Sequence, residues 1–224
     1  MKSPRLAGLM LVAVTALSLG VASSAFAEPA FHPIGGTFTG LGLGPEKLTF
    51  GGQEVKCEHN ITSGTISNAT LAGGVVVTFT GCKSTGTGGS NCTLKSSSPV
   101  GAAGVIITNT LHGVLGLILP KGTGSGVGLL LLPVANGKFF TLESNKCTAA
   151  TSVTGNIAGE TNPVGGGLVS KGTLTFQAGT KGESIKDFDL STGGLVRPEL
   201  ELFAAIGSLE TNEDVTFSPA VEVS

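Results

Sequence analysis

Apolar and polar positions trade places over short distances along most of this chain. Runs of Val, Ile, Leu, Phe and Thr are cut by Gly, Asn, Ser or Pro at intervals of about 8–12 residues, the spacing of strands in an antiparallel sandwich or barrel. The pattern predicts strands at Gly36–Leu43, Lys47–Glu58, Gly64–Ser67, Gly74–Cys82, Cys92–Ser97 and Gly104–Leu119. It continues with Gly128–Val134, Lys138–Glu143, Thr151–Gly159, Leu168–Ala178, Glu199–Ala205 and Glu213–Val223. Two stretches alternate cleanly. Leu174, Phe176 and Ala178 oppose Thr173, Thr175 and Gln177, and Val215, Phe217, Val221 and Val223 oppose Thr216, Ser218 and Glu222. Pro219 interrupts the last strand, which predicts an edge position because proline cannot donate to a ladder. Helical periodicity is nearly absent; Leu202–Ile206 looks helical but is too short to count.

The segment Val100–Phe140 departs from alternation. The run GVIITNTLHGVLGLILP, the turn KGTGSG and the run VGLLLLPVANGKFF read as a hairpin whose strands are apolar on both faces. The hairpin Gly104–Val134 is therefore expected to be the most buried part of the fold. The other reading is a face that meets lipid or a partner.

The first 27 residues read differently. Lys2 and Arg5 precede the uncharged run Leu6–Val21, and Ala25-Phe26-Ala27 is a small-x-small cleavage site before Glu28. That is a secretory signal peptide, so residues 1–27 are expected to be removed and 28–224 to form one exported domain. The apolar run is too short, and its small-residue tail wrong, for a membrane anchor. No later stretch looks like a transmembrane helix.

Composition narrows the possibilities. Charged residues are 12% of the 224 and the formal net charge is −2. Losing Lys2 and Arg5 makes the exported chain more acidic still, so it offers no field for nucleic acid. The four cysteines, Cys57, Cys82, Cys92 and Cys147, all follow the signal, and an even number there implies two disulfides. Strand order favours Cys57 with Cys82 and Cys92 with Cys147, because the strand ends that carry them fall on the same side of a meander. Cys82 with Cys92 across a short Gly-rich loop is the rival. The cysteine gaps match no zinc pattern.

A search for chemistry finds little. There is no GxSxG; Ser125 lies in a glycine context that Thr123 breaks. The three histidines, His32, His59 and His112, have only Asp187, Asp189 and Asp214 as aspartate partners, and no spacing singles out a triad. The loop Gly122–Gly128 joins two strands, so no helix N-terminus could receive a phosphate. Asp187-Phe188-Asp189 opens like a calcium loop, but Thr192 and Pro198 stand where an EF-hand needs Gly and Glu; a looser calcium site there stays open. Sugar-binding faces usually stack on Trp or Tyr, and the chain has neither. Asn60, Asn68 and Asn91 head glycosylation sequons, which matter only in a host that glycosylates. No catalytic residue, cofactor ligand or metal ligand is assigned.

Six segments resemble a group of uncharacterised exported, cysteine-containing β-proteins abundant in some actinobacteria. They are LTFGGQEVKCE, VTFTGC, the hairpin LHGVLGLILP with VGLLLLPV, KFFTLESNKC and VTGNIAGETNPV. The resemblance implies export and an all-β fold; the group carries no activity to transfer. The expectation is an antiparallel β-sandwich or jelly-roll. Its role would be that of a secreted or envelope-associated, non-catalytic module with an apolar or cell-envelope ligand or a structural task. Two other readings are a carrier of an apolar or lipid ligand lined by the hairpin 104–134, and a hydrolase with an unrecognised site.

Overall fold

In this computed structural model the residues described are 28–85, 91–120, 126–144 and 148–224. Residues 1–27, expected from the sequence to be a signal peptide, lie outside them, as do Ser125 and Cys147. Nineteen strands occur among the described residues, all paired antiparallel, and no helix. In chain order they are β1 Phe31–His32, β2 Thr37–Gly42, β3 Glu46–Phe50, β4 Gln53–Cys57, β5 His59–Ile66, β6 Leu71–Thr80, β7 Lys83–Thr85, β8 Asn91–Thr93, β9 Lys95–Ser96 and β10 Ile106–Ile107. There follow β11 Leu111–Leu119, β12 Val127–Pro133, β13 Lys138–Ser144, β14 Thr148–Asn162, β15 Val169–Phe176, β16 Asp187–Leu190, β17 Leu195–Val196, β18 Glu199–Leu202 and β19 Ala205–Val223.

The pairings close on themselves. β2 bonds to β5, β5 to β6, β6 to β11, β11 to β12, β12 to β14, β14 to β15, β15 to β19, and β19 back to β2. The upper layer is thus a closed ring of eight strands. The lower layer is an open sheet in which β7, β4, β3, the start of β19, β18, the start of β14 and β13 follow one another. The long strands β14 and β19 belong to both layers, and one hydrophobic cluster runs through both, from Phe38 and Val215 to Phe50, Leu142 and Leu200.

Period-two alternation decides what the ring holds. Phe38, Val77, Leu115, Leu129, Ile157, Leu174 and Val215 point inward and are buried, while Thr37, Thr39 and Ser63 face out. The inside is apolar, and the outer wall mixes threonine and serine with exposed Leu41 and Ile61. Eight strands leave room for side chains only if large residues sit across from small ones. A Cβ on Gly64 would lie 2.7 Å from the Phe38 ring, and one on Gly159 would lie 2.9 Å from Leu174 and from the Phe176 ring. Interior glycines therefore make space for phenylalanine and leucine. A void of about 30 Å³ lies between Phe31, Phe38, Leu115, Leu129 and Phe217. That is the size of a water molecule, far below an acyl chain.

The hairpin expectation holds at β11 and β12. One face, with Leu111, Leu115, Leu129 and Leu131, fills the ring. The other, with Leu130, Ile118 and Leu132, is covered by Phe188, Leu190 and Val196 from β16 and β17. Phe188 is fully buried because Gly116 and Gly128 leave a notch for its ring. Leu130 is fully buried, and Leu117 and Leu132 are half-buried.

Several boundaries differ from the sequence reading, each for a local reason. The stretch Lys47–Glu58 is a hairpin, because Gly51 and Gly52 take φ of 53° and 88° in a two-residue turn. Gly104–Leu119 is broken at Thr108–Thr110; Thr108 is fully buried and its hydroxyl accepts the Val77 amide hydrogen. The helical-looking Leu202–Ile206 is the tight turn from β18 into β19, with Phe203 and Ala204 in the left-handed region. Pro219 is not at an edge. It lies in a bulge of β19, where Val169 and Lys171 of β15 pair with Val221 and Thr216, and β2 and β1 flank the other side.

Candidate functional site

The residues singled out by sequence do not converge. His32 is exposed on β1, across from Glu222; His59 is exposed at the start of β5; His112 is half-buried on β11. No ion pair among the described residues joins a histidine to a carboxylate. Asp214 is exposed on the outer wall of the ring. Asp187 and Asp189 flank the buried Phe188 on the strand that covers β11, so they alternate with a core anchor. No group of three or more His, Cys, Asp and Glu forms a metal cluster among the described residues.

The cysteine expectation is met at one bond. Cys57 and Cys82 form a disulfide with Cα atoms 4.0 Å apart. Cys92 is also disulfide-bonded; Cys147, its expected partner, lies outside the described residues. Cys57 is the register partner of Glu46, so this bond ties the exit of ring strand β6 to the corner where the chain enters the lower layer.

That corner holds what the sequence reading missed. β19 passes from the lower layer, with Glu210 opposite Lys47, to the ring, with Glu213 opposite Gly42. Between these pairs, Leu43–Pro45 swing outward and open a groove of about 680 Å³. Its lining includes Pro45, Glu46, Lys56, Gln177, Thr211 and Asn212. Lys56 and Lys47 at the rim both bind Glu54, at 2.8 and 3.3 Å. The Lys56 ammonium, with Lys47 beside it, holds the Glu54 carboxyl below the usual range.

Below the groove lies a buried polar cluster. Glu46 is 1% exposed, Glu213 2%, Asn60 0% and Thr62 2%. Their inward direction follows from parity: Glu213 precedes Val215 and Phe217 by two and four residues, and Asn60 and Thr62 share a face with Ile66. Asn60 Nδ2 donates to Glu213 Oε1 at 2.5 Å, and the Thr62 hydroxyl donates to the same oxygen at 3.1 Å. The amide bond fixes the Asn60 orientation and leaves Oδ1 facing the Glu46 side. A Cβ on Gly42 would collide with both Asn60 Oδ1 and Glu46 Oε1, so glycine is what lets these oxygens approach.

The electrostatics are unbalanced. Burial pushes Glu46 up to about 7, with the neighbouring Thr211 hydroxyl holding it back. Burial pushes Glu213 up to about 7 against the bonds from Thr62 and Asn60, and the Glu46 charge adds to the rise. No basic side chain among the described residues pairs with either. Glu46 Oε1 and Oε2, Asn60 Oδ1, Thr211 Oγ1 and Glu213 Oε2 are all buried without a hydrogen-bond partner. Such burial closes the carboxylates to a polymeric substrate and leaves them open to a proton or a small ion.

The sequon at Asn60 is closed by the same geometry, since a fully buried side chain bonded to Glu213 cannot carry a glycan. No family model, curated protein or solved structure matches this chain.

Proposed function

We propose that this chain is an exported, non-catalytic β-module of the cell envelope or extracellular space, with a binding or structural role. Its ligand surface is the groove at the β2–β3 corner. The observation that carries this reading is the filled ring. A barrel that transports a small molecule keeps a cavity for it, and here Phe38, Leu115, Leu129, Leu174 and Val215 fill the space around a void of about 30 Å³. What the fold offers a partner is its outside, and the groove is the outer feature with buried polar chemistry beneath it. The scattered histidines and the burial of Glu213 support a role without catalysis. The Cys57–Cys82 bond supports an oxidising compartment.

Fractionation of producing cells tests the location: the chain is expected in the envelope or medium, beginning at Glu28. Retention in the cytoplasm with an intact Met1 would overturn export. Hydrogen exchange on the purified chain, with and without cell-envelope fractions, tests the surface. Protection is expected at 43–47, 175–177 and 210–212. Protection elsewhere, or turnover of an ester, peptide or glycoside, would overturn the reading.

A further inference from the structure

We propose that the buried oxygens of Glu46, Glu213, Asn60 and Thr211 form a binding site for a hard divalent cation, calcium by preference. Three observations meet there. Five oxygen atoms of these residues are buried with no hydrogen-bond partner at bonding geometry, the Thr211 hydroxyl beside Glu46 among them, and a native fold rarely leaves such groups unpaired. Two of the residues are carboxylates with no basic partner among the described residues, so the cluster lacks the positive charge that would balance it. The amide of Asn60, itself 0% exposed, is held by Glu213 with its free oxygen turned toward Glu46.

The donor set selects the ion. Carboxylate, amide and hydroxyl oxygens without nitrogen or sulfur suit calcium, magnesium and manganese rather than zinc or copper. Magnesium keeps several of its waters, whereas calcium accepts many protein oxygens in flexible geometry, bidentate carboxylates included. A cluster this buried, in which Gly42 makes room for the Asn60 and Glu46 oxygens and Gly40 for Glu213 Oε2, favours the ion that sheds its water. Entry is through the groove, whose floor includes Glu46 and Thr211. The Cys57–Cys82 bond, one register pair from Glu46, holds the corner in shape before the ion arrives. This site stands on the carboxylate cluster alone and does not depend on what the groove binds.

The test is calorimetric titration of the purified, oxidised chain, stripped with EDTA, with calcium chloride and separately with magnesium chloride. Thermal unfolding is followed in parallel by circular dichroism. One calcium is expected to bind with a dissociation constant of roughly 0.1–1 mM, the range of extracellular calcium modules, and to raise Tm; magnesium binds more weakly. Glu46→Gln and Glu213→Gln should fold and lose at least about tenfold in calcium affinity, a change of about 1.4 kcal/mol. Thr211→Val, which keeps the shape of the side chain, should weaken binding severalfold and serves if either Gln variant is unstable. Glu183→Gln, at a buried carboxylate outside the cluster, should bind as wild type. Absence of saturable binding below about 10 mM, unchanged affinity in Glu213→Gln and Thr211→Val, or loss of binding in Asp189→Asn instead would each overturn the proposal.

Discussion

Glu183 Oε1 accepts the Leu209 amide hydrogen at 2.8 Å, at the point on β19 where β18 has ended and β15 has yet to begin. A side chain thus takes the place of a missing strand. The arrangement buries a carboxyl that is 2% exposed, and burial pushes it up to about 8 against the Leu209 bond and the attraction of Lys186.

Stability is expected to fall as pH rises. Glu183 holds a proton in the folded chain up to about pH 8, whereas in the unfolded chain it loses it near 4.5. Between those values the native state binds more protons, so its advantage is complete below 4.5 and is lost as pH climbs through 8. Glu46 and Glu213 act in the same direction up to about 7. Chemical denaturation from pH 4.5 to 8.5 without divalent ions should show a decline, and Glu183→Gln should flatten it. A rise over that range would contradict the burial.

Leu130→Ala is expected to cost about 2–5 kcal/mol. Its side chain is fully buried between the hairpin and Phe188, away from the ring interior. Urea unfolding measures the loss; a value near zero would mean that the flap of β16 and β17 does not close over the hairpin.

Gly64→Ala is expected to destabilise by about 1–3 kcal/mol through overpacking against Phe38. Adding Phe38→Leu should recover part of that loss, because the two positions share one space. A double-mutant cycle reports the coupling, and strict additivity would show that the residues do not meet.

Replacing Cys57 and Cys82 together by serine should lower stability by about 2–4 kcal/mol. Hydrogen exchange should loosen first around Glu46 and the exit of β6, the two places the bond ties together. Uniform loosening throughout would argue against a local clamp.

How much of this could be read from residues alone depended on sequence distance. The hairpin β11–β12 was legible because its strands carry leucine, isoleucine and valine on both faces, which only burial on both sides allows. The end of β19 was legible from the parity of Val215, Phe217, Val221 and Val223. The same parity reaches Glu213, a polar residue on a core face, and that was the available signal for the buried cluster. Its members were otherwise hidden: Asn60 and Glu213 are 153 residues apart, and closure of the ring is what makes them neighbours. β16 was not among the expected strands because Asp187 and Asp189 make it look like the opening of a calcium loop. Its identity as a strand depends on Gly116 and Gly128 offering Phe188 a seat. The ring itself rests on the β6–β11 pairing, a contact that local alternation does not encode.

The strand β1 lies against the end of β19, where Ala30 and Ser224 exchange backbone hydrogen bonds of 2.8 and 3.0 Å. The order in which the chain is threaded is therefore separable from its architecture. A short linker from Ser224 back to Ala30, with new ends opened between Gly193 and Gly194 in the turn from β16 to β17, would leave every strand pair in place. Such a circular permutant should reach the same fold, with fusion points carried on the flap over the hairpin instead of at the pole beside Phe31.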